Sequence, residues 1–294
     1  MSKELNSHLI ILFATFLVAG SFIVSQKLSG IIDPISITLL RFVIASVILA
    51  PIVLLNKEFR KLITFTFKRA MIISFFYSLY FIGLFKSLEY TTALNTGTLF
   101  TLVPLLTAIF SIFVFKQRIP TKQYLVYFFG IVGTCIVVFK GELELFLSLS
   151  LNRGDFLFIA SIVSMALYSV CAKYFHKEED KLVVLVFLTL VGGSIWMSIA
   201  LVAFDIPLEW NKINSSQFLS MAYLSIAATL VTSYLYQKGT IHLGPKKVMS
   251  YVYLNPAAIA ILLMVFEFRF INIWMILGIV ISSFATVILL RTKN

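Results

Sequence analysis

The chain alternates apolar runs of membrane-spanning length with short polar connections. A helix that crosses about 30 Å of hydrocarbon needs about 20 residues at 1.5 Å each. Ten runs approach that length, and connections such as NKEFRKLITFTFKR and HKEED separate them. The pattern predicts an all-α membrane protein with ten transmembrane helices, at residues 9–26, 34–55, 70–88, 92–115, 122–139, 155–175, 182–204, 217–239, 246–266 and 272–290.

Two of the apolar runs contain polar residues followed by a proline. The fourth run includes LNTGTLFTLVPLL at residues 94–106, and the ninth begins with KKVMSYVYLNPAA at residues 246–258. A proline in a helix interior removes a backbone hydrogen bond and costs about 3 kcal/mol. We therefore expect helix kinks at Pro104 and Pro256.

The two prolines belong to an internal repeat. They are 152 residues apart, and the same offset pairs Lys86 with Lys238 and Thr98 with Ser250. Near the start of each half the offset is 146, a difference that loops can absorb.

Each half holds five predicted helices, so the second half must enter the membrane upside down relative to the first. We predict a first five-helix repeat at residues 1–141 and a second, inverted repeat at residues 142–294. Inverted repeats are typical of secondary transporters, in which discontinuous helices at corresponding positions surround a substrate site near the midplane.

Composition and charge support a membrane location. The chain is 60% hydrophobic and 13% charged, whereas soluble domains average about 45–50% and 25%. The net charge of +11 does not indicate nucleic acid, because Lys and Arg lie mostly in the connections. With the N-terminus inside, 17 of them fall in inner segments and six in outer segments. This asymmetry predicts a multi-pass protein of the cytoplasmic (inner) membrane with both termini cytoplasmic.

Several segments, taken together and in order, resemble a known family. They are AGSFIVSQK, PISITLLRFVIAS and SLEYTTALNTGTLFTLVPLLTAIF in the first half, then MALYSVCAK and YQKGTIHLGPKKVMSYVYLNPAAIAILL in the second. Over essentially its whole length the chain is similar to the drug/metabolite transporter superfamily, in its EamA-type ten-helix branch. The resemblance implies a two-lobed bundle that works by alternating access, with the third, fourth, eighth and ninth helices close to the central cavity.

Polar residues in the interrupted runs are candidates for lining that cavity. Tyr251 and Asn255 share one face of the ninth helix, which Ser250 flanks, and Asn95 and Thr98 form a similar stripe in the fourth. Cavity lining and hydrogen bonding between packed helices both fit this pattern. The same argument adds further cavity candidates, which are Tyr80, Tyr168, Tyr234 and Gln237.

Three cations raise separate questions. Arg41 lies inside the second predicted helix, where a charge is costly unless it has a partner or a cavity. Substrate contact and a structural role both remain open for it. Lys86 and Lys238 occupy equivalent repeat positions near opposite membrane faces, so they are candidates for the rims of two gates or for interfacial anchors.

The function that best fits these features is secondary transport of a small metabolite across the cytoplasmic membrane by alternating access. The substrate class stays open among amino acids, organic acids, nucleosides and similar compounds, as does export. A channel or a non-transporting sensor is the alternative. A membrane-embedded enzyme ranks third, because no pair of acidic or histidine residues has catalytic spacing inside the spans.

We expect no catalytic residue, metal or cofactor, and no nucleic-acid partner. The expected partners are the substrate and the lipid bilayer; a homodimer is compatible with the sequence, but a monomer suffices.

Overall fold

The computed structural model describes residues 3–91, 93–116, 119–139, 142, 144, 152–267 and 272–291. The helices in this part of the chain are α1 (Lys3–Leu28), α2 (Pro34–Leu54), α3 (Lys57–Leu88), α4 (Ala93–Phe100), α5 (Val103–Phe115), α6 (Thr121–Phe139), α7 (Arg153–Tyr174), α8 (Leu182–Ala203), α9 (Ser215–Ser225), α10 (Thr232–Leu243), α11 (Pro245–Ser250), α12 (Asn255–Glu267) and α13 (Ile273–Arg291). A π-helical turn, Ile226–Val231, joins α9 to α10, and a 3-10 turn, Tyr251–Leu254, joins α11 to α12.

Seven helical segments among the described residues are long and apolar enough to cross a membrane. They are Leu5–Leu28, α2, α3, α7, α8, the continuous segment Ser215–Leu243 and α13. The prediction of an all-helical protein with several membrane-capable helices is confirmed. The count of ten transmembrane helices, the inversion and the division at residue 141 remain predictions.

The third helix begins earlier than predicted. We expected it to begin at residue 70, but α3 begins at Lys57 because Asn56 caps it: the Asn56 side chain accepts from Glu58 N at 2.9 Å and from Phe59 N at 3.2 Å. Leu62 and Ile63 then pack against the core. The charged residues of this segment occupy one face of a helix whose other face is apolar, so the polar connection is much shorter than its composition indicates.

Both prolines lie where one helix gives way to the next. Pro104 is the second residue of α5, after a turn in which Leu102 N donates to Leu99 O at 3.0 Å. Pro256 is the second residue of α12, after the 3-10 turn. A proline in the first turn of a helix is tolerated because its missing N–H would have no helical partner there. Each proline therefore follows a break between two helices.

The helix bounds follow the offset of the sequence repeat. Adding 152 to the bounds of α5 gives Asn255–Glu267, which are the bounds of α12. The same addition converts the bounds of α6 into Ile273–Arg291, which are those of α13. The start of α4 at Ala93 becomes Pro245, the start of α11.

Helices of the two halves pack directly on each other. Helix α2 packs on α8, α6 on α13, α3 on α7, and α1 on α10. Small residues allow the close approach: a Cβ added to Gly83 of α3 would lie 1.7 Å from Ser161 Oγ of α7. Membrane helices use such small residues because packing drives their association where lipid is the solvent. Large apolar side chains such as Phe113 and Phe284 remain exposed on the outside of the bundle.

Candidate functional site

A small buried cavity lies among helices of both halves. Its volume is about 30 Å³, and six aromatic side chains form much of its wall: Tyr77, Tyr80, Phe81, Phe100, Tyr168 and Tyr236. A buried water needs at least about 10–15 Å³, whereas pockets for drug-sized ligands measure about 300–1,000 Å³. The cavity therefore holds little more than water in this conformation, and a metabolite could enter only if the surrounding helices separated.

Two pairs of cavity residues are related by the sequence repeat. Tyr80 and Thr232 are 152 residues apart, as are Phe100 and Val252, and all four line the cavity. Because each pair takes one residue from each half, the cavity lies where equivalent parts of the two halves meet.

The tyrosines around the cavity form a stacked group. The rings of Tyr77 and Tyr168 are 4.4 Å apart and nearly parallel. The Tyr77 hydroxyl hydrogen-bonds to Ser233 Oγ at 2.9 Å. The Tyr168 hydroxyl is buried and has no hydrogen-bond partner among the described residues. The wall thus combines flat apolar faces with hydroxyl groups that are able to bind a polar ligand.

Arg41 is fully buried behind this wall. Its Nη2 donates to Ala228 O at 2.8 Å, and its Nε donates to Leu224 O at 3.1 Å and to Thr229 Oγ1. These acceptors lie in or beside the π-helical turn, where widened helical geometry leaves carbonyls open to other donors. The guanidinium also lies 4.2 Å from the centre of the Phe81 ring. Arg41 therefore fastens α2 of the first half to the π-helical turn of the second.

An ion pair joins the halves at one end of the bundle, which we call the Asp180 end. Arg69 of α3 donates to both carboxylate oxygens of Asp180, at 2.5 and 2.7 Å, and to Phe175 O at 2.8 Å. Burial favours a raised pKa for the Asp180 carboxyl, but hydrogen bonds from Arg69 and from Lys177 N outweigh it, so the pKa lies below its usual value. Asp180 is therefore ionised at neutral pH.

The pKa of the neighbouring His176 is lowered, whereas an ion pair with a carboxylate ordinarily raises the pKa of a histidine. Burial lowers the pKa of His176. The Asp180 carboxylate opposes that shift, whereas the positive charges of Lys173 and Arg69 add to it. The net pKa lies below the usual value, so His176 is mostly neutral at pH 7.

The opposite end of the bundle, which we call the Asp155 end, is more open. There Thr91 donates to Asp155 at 2.6 Å, and a surface cavity of about 650 Å³ is lined by Asp33, Glu89, Glu209 and Lys212 among others. Helix α7 begins at this end and finishes at the Asp180 end, about 32 Å away at 1.5 Å per residue. The two ends therefore differ in one structure: an ion pair bridges the Asp180 end, and the Asp155 end has an open cavity.

The sequence model of the EamA-like transporter family matches the chain twice, at residues 5–139 and 152–291. The chain belongs to the EamA-like transporter family. The resemblance stated from the sequence is thereby confirmed.

The chain is also similar to individual transporters and to a solved structure. The chain is 24% identical over 266 residues to the uncharacterized transporter YyaM of Bacillus subtilis, covering 88% of this chain and 86% of that one. It is also 24% identical over 258 residues to an uncharacterized transporter of Archaeoglobus fulgidus, covering 87% of each. A crystal structure with 18% sequence identity superposes with a TM-score of 0.74 over 99% of this chain and all of the other, and so shows the same fold.

Family membership and the apolar helices make this EamA-like protein a multi-pass membrane protein. The family and the names of its relatives point to a transporter rather than an enzyme. No group of three His, Cys, Asp or Glu side chains in the described ranges could hold a metal ion.

The structure brings some of the sequence-predicted residues to the cavity. Tyr80 and Tyr168 line it. Gln237 is buried beside Tyr168 and donates from Nε2 to Thr189 Oγ1 at 3.3 Å, while its Oε1 has no partner in the described part of the chain. Arg41 contacts two wall residues, Phe81 and Ala228, from behind.

The ninth-run candidates do not line this cavity. The Tyr251 hydroxyl hydrogen-bonds to His8 Nδ1 at 2.8 Å, and Ser250 Oγ donates within its own helix to Lys246 O at 2.8 Å. Asn255 is fully buried, and neither polar atom of its side chain has a hydrogen-bond partner among the described residues. In the fourth run, Asn95 and Thr98 belong to α4, and their side chains lie outside the described part.

The two candidate rim lysines lie at opposite ends. Lys86 pairs with Glu89 at 2.7 Å at the Asp155 end. Lys238 lies one turn before Ile241, whose carbonyl accepts from Lys173 at the Asp180 end. The Nζ of Lys238 is 5.9 Å from the Tyr234 ring, which places Tyr234 beside a lysine rather than in the cavity wall.

Sequence reasoning missed several cavity residues. Tyr77, Phe100 and Tyr236 looked like ordinary apolar-face residues, and Thr232 lies in a run without a proline. The repeat offset contained a usable signal for Thr232, since it corresponds to Tyr80. The π-helical turn has the sequence IAATLV, which does not differ from an ordinary apolar helix.

Proposed function

We propose that the protein is a secondary transporter that moves a small metabolite across the cytoplasmic membrane by alternating access. The observation that carries this proposal is the symmetry of the cavity wall, in which Tyr80 pairs with Thr232 and Phe100 with Val252. A site between equivalent halves can be reached from either face if each half contributes one gate.

The proposal includes ten transmembrane helices in two inverted repeats, at residues 1–141 and 142–294. Two matches to the family model, one in each half, support the repeat. The equal bounds of α5 and α12 and of α6 and α13 after the offset support it as well. Breaks before Pro104 and Pro256 then fall at equivalent positions, as in transporters with discontinuous helices.

The proposed orientation places both termini and the Asp180 end at the cytoplasmic face, on the basis of the excess of inner Lys and Arg. The bridged Asp180 end and the open Asp155 end then correspond to a conformation in which the cytoplasmic gate is closed. Transport requires the opposite conformation, in which the Arg69–Asp180 pair is broken and the Asp155 end closes.

Counterflow into proteoliposomes tests the proposal. Purified protein would be reconstituted in vesicles loaded with unlabelled amino acids, organic acids or nucleosides, and uptake of the same labelled compound would be followed. A carrier gives saturable uptake that depends on the internal compound. Uptake that does not saturate would indicate a channel, and absence of uptake across the panel by folded protein would overturn the transporter proposal.

A further inference from the structure

Among the described residues, the positive charge of Arg41 has no carboxylate partner. Its hydrogen-bond acceptors are two backbone carbonyls and a hydroxyl, all neutral. Each of the 13 Asp and Glu residues lies in a connection or within three residues of a helix end. Arg41 is the eighth residue of α2, about 10 Å along the helix from its start. Buried charges are ordinarily paired, so this one stands out.

One nitrogen of the Arg41 guanidinium also makes no hydrogen bond to the described residues. Its Nη1 is buried and has no hydrogen-bond partner within the described ranges. Structural anchoring of the π-helical turn needs only Nε and Nη2. Burying a charged donor without a partner is costly, and a ligand or a contact that changes between conformations would explain why it is kept.

Arg41 directly backs the central cavity. Two of the groups it touches, the Phe81 ring and the Ala228 carbonyl, belong to residues of the cavity wall. In the cavity wall, the buried Tyr168 hydroxyl is a second donor without a hydrogen-bond partner among the described residues. When the helices separate to admit a metabolite, the nearest charge to it is therefore positive, and the free polar groups include two donors.

We propose that the transported substrate is a small organic anion with an apolar body, and that Arg41 is the residue that selects its charge. This inference rests on the proposed function. The anionic group, a carboxylate or its equivalent, forms an ion pair with Arg41. It accepts hydrogen bonds from Arg41 Nη1 and from the Tyr168 hydroxyl. The apolar body lies against the aromatic rings of the wall, which include Tyr77 and Tyr80. A cationic substrate would be repelled by the same charge.

Equilibrium binding with matched probes tests the charge preference. Three probe series would be used, on a phenyl, a branched alkyl and a linear alkyl body, each as the carboxylate, the neutral amide and the amine. Thermal unfolding of the purified wild-type protein at pH 7.5 reports binding, because a ligand of the folded state raises the unfolding temperature. We expect at least one carboxylate to stabilise the protein, with an affinity at least about tenfold above that of its amide, and no response to the amines.

Variants separate charge from architecture. Arg41→Gln should abolish the preference for the carboxylate over the amide, and Arg41→Lys should keep part of it. Thr229→Val removes a neutral partner of Arg41 while leaving the charge, so it is the matched control and should keep the full preference. Comparing acid and amide within one variant corrects for any loss of fold stability.

Each outcome decides the point. Equal responses to acid, amide and amine in the wild-type protein, including no response to any, overturn the anion proposal. So does an unchanged preference in Arg41→Gln. Counterflow of a neutral compound with no carboxylate response would contradict the anion proposal and leave the transporter intact. Carboxylate binding that depends on Arg41 but gives no counterflow would support the anion proposal and contradict the transporter proposal.

Discussion

The Arg69–Asp180 pair offers a quantitative test of how the two halves are held together. Replacing Asp180 by Asn keeps the shape of the side chain but removes the charge that accepts two Arg69 bonds, at 2.5 and 2.7 Å. Hydrogen bonds to charged groups contribute about 1.5–3 kcal/mol, and exposed ion pairs about 0–1 kcal/mol. The two side chains are only 16% and 4% exposed, so we expect Asp180→Asn to cost about 2 kcal/mol.

The assay is a double-mutant cycle with Arg69→Gln, read by unfolding in detergent at pH 7.5. Because the pKa of Asp180 is lowered on folding, its contribution is complete at neutral pH and is lost only as pH falls below about 4. Glu58→Gln is the control, since it breaks an ion pair on the same helix whose side chains are 73% and 77% exposed. Additive effects of the two substitutions, or a loss no larger than that of Glu58→Gln, would refute the reasoning.

Three further predictions follow from single positions. Burial lowers the pKa of His176, so the imidazole takes up a proton on unfolding when the pH is below about 6.5. The free energy of unfolding should therefore fall as the pH drops below that value, and it should fall less in His176→Gln. Gly83→Ala should destabilise the protein by about 1–3 kcal/mol in unfolding assays, whereas Gly97→Ala, where the nearest atom is 3.9 Å from the new Cβ, should be tolerated; equal costs would contradict the close packing of α3 on α7. Lys86→Cys should react faster than Lys238→Cys with an impermeant thiol reagent outside intact cells, and the reverse order would contradict the proposed orientation.

The sequence predicted the elements whose signal is local. Apolar runs located the helices to within about six residues, except where α3 extends into a charged segment as an amphipathic helix, and the fourth and ninth runs are each divided into two helices. Pro104 and Pro256 lie in the first turns of α5 and α12, next to breaks between helices, and their role as functional kinks remains a prediction. Orientation rests on charge counts and remains a prediction.

The cavity was harder to predict because its wall is set by contacts between distant helices. Tyr77 and Tyr168 stack although 91 residues separate them in the chain. Tyr251 was a reasonable cavity candidate by helical spacing, but its hydroxyl reaches His8 at the start of α1. Which polar residue faces a cavity and which packs between helices depends on helix rotation, and apolar periodicity fixes rotation poorly in a helix that is apolar on every side.

Arg41 has a structural role in the fold and, in our proposal, a second role in binding the substrate. Three of its contacts are structural, because they satisfy groups in or beside the π-helical turn. Its Nη1 has no hydrogen-bond partner among the described residues, and we propose that this group and the charge bind the substrate. A purely structural arginine would need no free donor, so the structural and substrate-facing roles are compatible rather than exclusive.

Access to Thr232 from each membrane face in turn is the direct consequence of a central site with alternating access. Thr232→Cys, in a background with Cys135→Ala and Cys171→Ala, places one thiol in the cavity wall. An impermeant thiol reagent would be added to either side of reconstituted vesicles of known orientation, followed by a counterflow measurement. With alternating access we expect the thiol to be modified by reagent added to either side, and counterflow to be lost after modification from either side. Modification from one side only, or full counterflow after complete modification, would contradict a central site with alternating access.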